Sequence, residues 1–473
     1  MRYPHLVRPH IAFHNERTRR AAGAFGSPIL GANRLKGGNM NVKRLFLVVG
    51  CILLAGTAWA AGGKEVAAGD VATIQFMGWE ASPLETASVE SGLSTFMARN
   101  PEIRVEYTPV AGDYSARLLT LMAGDAAPDV FFLGSGDYRR FASRGVLLNL
   151  TQQFEQSFDI RDFIPLAQQK MVIDGEIYGL SSTNVSPVLY YNMDIFDRAG
   201  LPYPPSNPNE AWTWDEFVQI AQELTLRSGN RVTQFGTFGF DAFSWGWVFP
   251  AVVSSAGGRV FNDDYTELLL NSPEGRDALR KMLELRTVYG VSPEGAFAED
   301  VGMNASQMLQ TGMVATMVNG SWALQELAQM GFRVGVGVLP IIRRPATVGQ
   351  AHLHSAYANT AHPEEAWKLI EFLSSIEYQT DLVRAGLWIP NREDMYLPTE
   401  VGNWLNPDVH PAGFEELIPY FTNYGEAWPG MMVPADAWDI INEELDNFFF
   451  AGQPLDVVLP RMERRVNPIL RGQ

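Results

Sequence analysis

Short apolar segments alternate with longer amphipathic ones from Val71 onward, and this alternation limits the fold more than any other feature. Three stretches of strand length are separated by two of helix length: 71–77, 84–99, 103–107, 114–123 and 128–133. Strands that alternate with helices predict an open, mainly parallel α/β sheet. Ligands of such sheets lie beyond the carboxyl ends of the strands, where Trp79 and residues 134–137 are expected.

The second half of the chain continues this pattern with more helix. Residues 332–339 are a predicted buried strand, and a predicted helix over 363–374 starts with proline and acidic residues, as the helix dipole favours. Two amphipathic helices are predicted at the end of the chain, over 435–450 and 455–469. We find no internal repeat and no low-complexity stretch.

Charge is distributed unevenly along the chain. Past Ala60 the sequence holds 27 of the 36 basic residues and 52 of the 53 acidic ones, a net charge of −25. Nucleic acids and anionic membranes both require a cationic surface. The main body is therefore a poor candidate for either partner.

A secretory signal is predicted over residues 40–60. Lys43 and Arg44 precede an uncharged apolar run, and Ala58-Trp59-Ala60 supplies a small-x-small cleavage site. The run is shorter than the roughly 20 apolar residues that a membrane span needs. Residues 1–39 lie upstream and are predicted to be a non-native or unstructured extension. Because of the signal, we expect a periplasmic or otherwise extracytoplasmic protein.

Cys51 is the only cysteine of the chain, and it lies inside the predicted signal. Cleavage after Ala60 would leave a mature protein without thiols, which suits an oxidising compartment. The alternative is that residues 48–51 form a lipobox and that Cys51 becomes a lipidated N-terminus. Both alternatives remain open at the level of sequence.

Several segments, in the same order along the chain, resemble the extracellular solute-binding proteins of sugar ABC transporters, of the maltose- and glycerol-phosphate-binding type. The resemblance extends over nearly the whole chain from about residue 70. The segments that carry it are 174–180, 189–201, 212–217, 312–322 and 366–373.

The resemblance implies a two-lobed periplasmic-binding-protein fold of type II, with a ligand cleft between lobes joined by hinge crossings. Carried over to this sequence, the crossings fall near 185–189, 352–357 and 388–405. The implied lobes are an N-lobe of 61–185 plus 356–400 and a C-lobe of 190–350 plus 405–473. Pro187 departs from the family pattern at the first crossing.

The implied function is that of the substrate-binding component of an ABC importer. A monomeric protein would capture a mono- or oligosaccharide between its lobes and deliver it to a membrane permease, without a cofactor or a metal and without enzymatic activity. The alternatives are a glycerol-phosphate or polyol binding protein of the same type, and a secreted carbohydrate-active enzyme. No nucleophile elbow, phosphate-binding loop or HExxH helix favours the enzyme.

Sugar recognition needs flat apolar faces for the C–H surface of the ring and planar polar groups for its hydroxyls. The resemblance places aromatic and polar residues of these kinds on loops that line the cleft. Eleven residues are predicted to bind the ligand, and seven of them are tryptophans: Trp79, Asp113, Asp137, Asn184, Trp245, Trp247, Trp322, His354, Trp388, Trp428 and Trp438.

Several of these residues have a structural alternative. Trp79 would equally pack beneath a helix, and Asp113 and Asp137 both stand where a helix N-cap is expected. Trp428 and Trp438 both lie in the region that supplies a stacking residue in some relatives, and the sequence does not choose between them.

His352 and His354 would share one face of a strand, as a pair of metal ligands does. Without a third ligand nearby, two histidines are a weak zinc signal. A hydrogen bond from His354 to the ligand, or a structural role in the strand, is the favoured interpretation.

Overall fold

The structure is a computed structural model that describes residues 71–80, 82–112, 114–240, 247–294 and 297–472. The predicted signal over 40–60, with Cys51, lies outside the described residues, as do Asp113 and Trp245. Among the described helices, none is both long and apolar enough to cross a bilayer.

The strands of the described residues, in chain order, are β1 (Ala72–Trp79), β2 (Ile103–Val110), β3 (Val130–Leu133), β4 (Val172–Ile173), β5 (Glu176–Ile177), β6 (Gly179–Val185), β7 (Pro187–Asn192), β8 (Leu226–Ser228), β9 (Arg231–Phe238), β10 (Val314–Gly320), β11 (Val334–Gly337), β12 (Thr347–Ala356) and β13 (Gly425–Ala427).

The α-helices are α1 (Pro83–Arg99), α2 (Tyr114–Ala123), α3 (Ser135–Ser143), α4 (Thr151–Ser157), α5 (Pro165–Met171), α6 (Met193–Ala199), α7 (Trp214–Leu224), α8 (Phe249–Ser255), α9 (Pro273–Thr287), α10 (Phe297–Val301), α11 (Ala305–Thr311), α12 (Ala323–Gln329), α13 (Pro363–Leu373), α14 (Ile376–Arg384), α15 (Val401–Trp404), α16 (Ile418–Asn423), α17 (Ala435–Phe449) and α18 (Leu455–Leu470). Short 3-10 helices span Ile160–Asp162, Pro208–Glu210, Glu393–Tyr396, Phe414–Leu417 and Pro429–Met431.

Local sequence explains where the helices begin. The Ser82 side chain accepts a hydrogen bond from the Glu85 N–H at the start of α1, which satisfies one of the free donors of the first turn. At α7, Thr213 and Glu216 form a reciprocal capping box. Both helices therefore start at polar residues that precede an apolar periodic segment.

Two sheets form the framework of the fold. In the first, the strand order is β13-β12-β3-β1-β2, and β6 also pairs with β12, on the edge opposite β3. In the second, the order is β11-β7-β10-β9-β8. We refer to the first sheet and its helices as the first lobe, and to the second sheet and its helices as the second lobe.

The α/β class is as predicted, and so is the parallel pairing of the first three strands, because β1 runs parallel to β2 and β3. β12 is parallel to β13 but antiparallel to β3 and to β6. The second sheet is mixed: β10 is parallel to β9, whereas β7 is antiparallel to β10 and β11, and β8 is antiparallel to β9. The antiparallel pairings thus include those of the crossing strands β6, β7 and β12.

Each lobe has its own hydrophobic core. The first core includes Ile74, Phe131 and Leu369, and the second includes Val188, Phe217 and Ile441. All six side chains are almost fully removed from water. Burial of apolar surface in each of these two cores stabilises the lobe that contains it.

Three segments carry the chain from one core to the other. β6 belongs to the first sheet and β7 to the second, and only Ser186 stands between them. In β12, Val348 packs in the second core and Leu353 in the first, so the core changes a few residues before the predicted second crossing. Trp388 packs in the first core and Ile389 in the second. The lobe limits given above remain a prediction.

Candidate ligand-binding site

Four tryptophans that are far apart in the sequence meet at the junction of the lobes, and we call them the tryptophan cluster. The rings of Trp247 and Trp428 stack, with centroids 5.2 Å apart and planes inclined by 7°. Trp322 stands edge-on to Trp247 at 5.5 Å, and Trp438 stands edge-on to Trp428 at 5.1 Å. The cluster is therefore continuous from Trp322 to Trp438.

Each member of the cluster is placed by the end of a regular element. Trp322 is the N-cap residue of α12, two residues after the end of β10. Trp428 follows β13, and Trp438 lies in the first turns of α17. Trp247 precedes α8. Ends of strands and starts of helices are the usual places for ligand contacts on an α/β framework.

Two glycines are required by how closely the indoles approach the backbone. A Cβ on Gly430 would lie 2.6 Å from Trp438 and 2.7 Å from Trp428. A Cβ on Gly320 would overlap the ring of Trp322. A side chain at either position would displace the rings, so these glycines set the geometry of the cluster.

The cluster spans the two lobes. Trp322 packs against both cores, Trp428 packs against the second, and Trp247, although it precedes a helix of the second lobe, packs against the first. These three indoles are half-buried, whereas Trp438 is 6% exposed and stacks on Phe249 at 5.6 Å. Trp438 is thus a core residue of the second lobe that supports the other three.

A second aromatic group lies in the first lobe. The His352 ring is 5.0 Å from Trp79 and 5.0 Å from Trp388, to which it is nearly perpendicular. Trp79 is half-buried and Trp388 is buried. Trp79 was expected in the loop that follows β1. It is instead the last residue of β1, so the sheet fixes its position.

The structure places the two histidines differently. His354 is completely buried, with its ring 4.5 Å from Phe132, and neither ring nitrogen has a hydrogen-bond partner among the described residues. Burial, followed by the charge of His352, lowers the pKa of His354 to about 3. His354 is therefore a neutral core residue, which argues against the predicted bond to a ligand.

His352 is the histidine that the sequence interpretation passed over for the ligand. It is half-buried, and burial, with a smaller effect of the charge of Lys170, lowers its pKa to about 3. A neutral imidazole offers one donor and one acceptor. It can therefore serve a hydroxyl group between the two indoles. Its closeness to Trp79 depends on strand pairing, so no local signal in the sequence identified it.

Asp137 is not the N-cap of α3, because Gly134 occupies that position. Its carboxylate accepts a hydrogen bond of 2.5 Å from Arg140 and one of 2.8 Å from Ser115. The suggestion that Asp137 caps the helix is therefore wrong, although its hydrogen bonds give the carboxylate a structural role.

Asn184 lies in β6 at the hinge and is 1% exposed. Its backbone exchanges two hydrogen bonds of 2.9 Å with Ile389 on the third crossing segment. Its Oδ1 atom is buried without a partner among the described residues, and a Cβ on Gly349 would lie 2.9 Å from it. Asn184 thus ties two crossings together and has spare acceptor capacity beneath the junction.

Two surface cavities lie elsewhere. One of about 440 Å³ is bordered by Gly258, Arg259 and Glu463 of the second lobe, and one of about 520 Å³ by Phe96, Phe158 and Lys368 of the first. Neither contains a predicted ligand-binding residue. Within the described residues, no group of three or more His, Cys, Asp or Glu side chains is arranged to hold a metal ion.

Known proteins share this architecture. The profile of the family described as bacterial extracellular solute-binding proteins matches residues 93–407. Among the similar proteins is a maltotriose-binding protein of Pyrococcus abyssi, which is 22% identical over 368 residues, 75% of each chain.

Two solved structures share the fold over their whole length. An ABC substrate-binding protein of Listeria monocytogenes, in complex with cycloalternan, has 25% identity and a TM-score of 0.73, and the match covers 84% of this chain and 98% of that one. UgpB of Mycobacterium tuberculosis, in complex with glycerophosphocholine, has 20% identity and a TM-score of 0.71, with 85% and 99% covered. These matches confirm the two-lobed α/β fold.

Proposed function

Because the chain belongs to the family of bacterial extracellular solute-binding proteins, we propose that it is the substrate-binding component of an ABC importer for a carbohydrate. The ligand would be a mono- or oligosaccharide, captured between the lobes and delivered to a membrane permease. The observation that carries the proposal is the tryptophan cluster, which brings stacked indoles to the place where the lobes meet.

Aromatic faces suit the apolar C–H surface of sugar rings. Trp247, Trp322 and Trp428 keep part of their surface exposed, and on the first lobe Trp79 and the neutral His352 supply a face and a hydrogen-bonding group. We infer that the sugar lies between these two groups. The cycloalternan and maltotriose named for two similar proteins are ligands of the same chemical class.

A phosphate-bearing ligand such as glycerol phosphate is the second candidate, and the glycerophosphocholine complex of a structural neighbour brings it forward. Such a ligand needs a cation that is free to bind it. Arg140 is paired with Asp137, and Arg392, which is 8% exposed, lies 3.5 Å from Asp394 and 3.8 Å from Asp162. Neither of these two cations is free for a phosphate, and the preference for a neutral sugar rests on the partly exposed indoles.

Location and partners follow from the same proposal. The predicted signal over 40–60 would export the protein, with lipidation at Cys51 as the alternative to cleavage after Ala60. A monomer with ligand bound would then dock on the permease. Family members bind and deliver solutes, and we infer the same non-enzymatic role here.

Calorimetry across a ligand panel tests the function. Maltose, maltotriose, cycloalternan and an arabinose oligosaccharide represent sugars, and glycerol 3-phosphate and glycerophosphocholine represent the alternative. We expect micromolar or tighter binding of at least one sugar. Heat from the phosphate compounds alone would favour the second candidate, and mass spectrometry of whatever co-purifies would identify a ligand outside the panel.

A further inference from the structure

Helix α5 carries a lysine that is withdrawn from water. Lys170 is 2% exposed, and its Nζ atom donates a hydrogen bond of 2.5 Å to the carbonyl oxygen of Gly349 in β12. The helix packs against β6, β12 and β13. The amine therefore lies against the strands that join the two lobes.

The surroundings of Lys170 do not compensate a positive charge. Among the described residues no carboxylate lies within ion-pair distance, and one carbonyl is its only hydrogen-bond acceptor. Burial lowers the pKa of Lys170 well below its usual range. An ammonium group has three donors and is costly to bury without an anion. The uncharged amine is consequently the form that this site favours.

Above about pH 3 the other ionisable groups around Lys170 are neutral or paired. From β12, His352 faces it, and that imidazole is already neutral above about pH 3. On β13, Glu426 is held by Arg344 at 2.9 Å and by Ser254 at 2.8 Å. β4 and β6 contain no ionisable residue.

The 3-10 helix next to α5 contributes two charged groups, and both are paired. Asp162 lies 3.8 Å from Arg392, and Arg161 forms an ion pair with Asp159. No other residue of α5 itself is ionisable. A change in charge at the hinge within this pH range therefore comes from Lys170.

The same carbonyl also anchors the tryptophan cluster. The backbone N–H of Trp428 donates a hydrogen bond of 3.0 Å to the oxygen of Gly349, so one acceptor receives a donor from the first-lobe helix and another from the cluster. Gly349 has no room for a side chain, because a Cβ there would collide with Leu166 of α5. The strand, the helix and Trp428 are thus held in close register.

We propose that Lys170 is a positioning residue at the hinge, whose buried amine holds the second crossing strand and, through the Gly349 carbonyl, sets the place of Trp428 relative to the first lobe. Protonation favours any arrangement in which water reaches Nζ. Falling pH therefore loosens this junction, and rising pH tightens it. The inference needs no ligand and does not depend on the ligand being a sugar.

Tryptophan emission of the ligand-free protein between pH 6 and 10 tests this inference in three forms: wild type, Lys170→Met, and Lys368→Met. Lys368 is a matched control, since it is half-exposed on α13 and paired with Glu102. We expect wild type and Lys368→Met to show the same titration of the emission maximum, and Lys170→Met to show none. An unchanged titration in Lys170→Met overturns the inference.

A second measurement keeps the inference testable if Lys170→Met does not fold. After residue 60 the chain has only four lysines, namely Lys64, Lys170, Lys281 and Lys368, so NMR of lysine-labelled wild type (Cε and Nζ) resolves each one. We expect one lysine to titrate at lower pH than the other three, with the Trp428 indole resonance following the same curve. Four lysines titrating together near pH 10.4 would refute the proposal.

Discussion

The indole rings of Trp247 and Trp428 lie nearly parallel, with their centroids 5.2 Å apart. Trp247 nevertheless packs against the core of the first lobe, and Trp428 against the core of the second. A stacked pair of this kind connects the lobes through two side chains. It also gives the junction a flat aromatic surface, whose contribution to sugar binding can be measured by changing one ring at a time.

Replacing Trp247 by alanine is expected to weaken sugar binding by about tenfold, because an aromatic contact contributes about 0.5–1.5 kcal/mol beyond its buried area. Calorimetry with the best sugar of the panel measures the effect. Trp367→Ala is the matched control, since Trp367 lies on α13 and contacts Phe158 at 6.5 Å, apart from the cluster. Equal losses of affinity in both variants would contradict the role given to Trp247.

Gly430→Ala is expected to disturb the cluster without removing an indole. The new methyl group would lie within 3 Å of both Trp428 and Trp438, so the rings must shift, and both tryptophan emission and sugar affinity should change. Gly402→Ala is the control, because a Cβ at Gly402 meets nothing within 4 Å. If the two variants had identical emission spectra and affinities, the close approach at Gly430 would not determine how the cluster binds sugar.

Trp438→Ala is expected to reduce stability more than any other single change in the cluster. Trp438 is 6% exposed and stacks on Phe249, and truncation of a buried tryptophan typically costs about 3–5 kcal/mol. Urea unfolding followed by circular dichroism measures the loss. Trp438→Phe should retain most of the stability, and a cost below about 1 kcal/mol for the alanine variant would show that Trp438 is not a core residue.

The stability of the protein is expected to fall with acidification below about pH 6.5. Burial lowers the pKa values of His352 and His354 to about 3 and that of His410 to about 4, so between pH 6.5 and 4 the unfolded chain binds more protons at these three positions. Each histidine then removes about 1.4 kcal/mol per pH unit. Urea unfolding at pH 7, 6 and 5 measures the slope.

His354→Leu should reduce that slope, because it removes one of the three histidines without introducing a polar atom into the core. In Lys170→Met, where the hinge amine no longer titrates, sugar binding at fixed folded fraction should not vary between pH 5 and 8, since His352 stays neutral throughout. A slope unaffected by the substitution would mean that His354 is already solvated in the folded protein.

The regular elements that position the site could be predicted from local pattern, because the information lies in neighbouring residues. The strand at Ala72–Trp79 and the helix at Tyr114–Ala123 follow directly from apolar periodicity. The direction in which β12 runs could not be predicted. It depends on a pairing with β3 and β6 across more than 150 residues of sequence.

The sequence could not distinguish the environments of His352 and His354 for a related reason. Strand periodicity puts both side chains on one face, but the register shifts at a bulge between His352 and Leu353, and only the neighbouring strands determine which ring is covered. The tryptophan cluster likewise depends on four chain segments that meet only after folding. The sequence identified the tryptophans as candidate ligand contacts. It could not predict that Trp438 is buried whereas Trp428 is half-buried.

Ser186 alone joins β6 to β7, and one residue spans at most about 3.6 Å. A linker that short lets the two sheets pivot about it but prevents them from sliding apart. If the protein delivers its solute to a permease, as proposed above, a pivot at this point makes the angle between the two sheets the quantity that would differ between the empty and the loaded carrier.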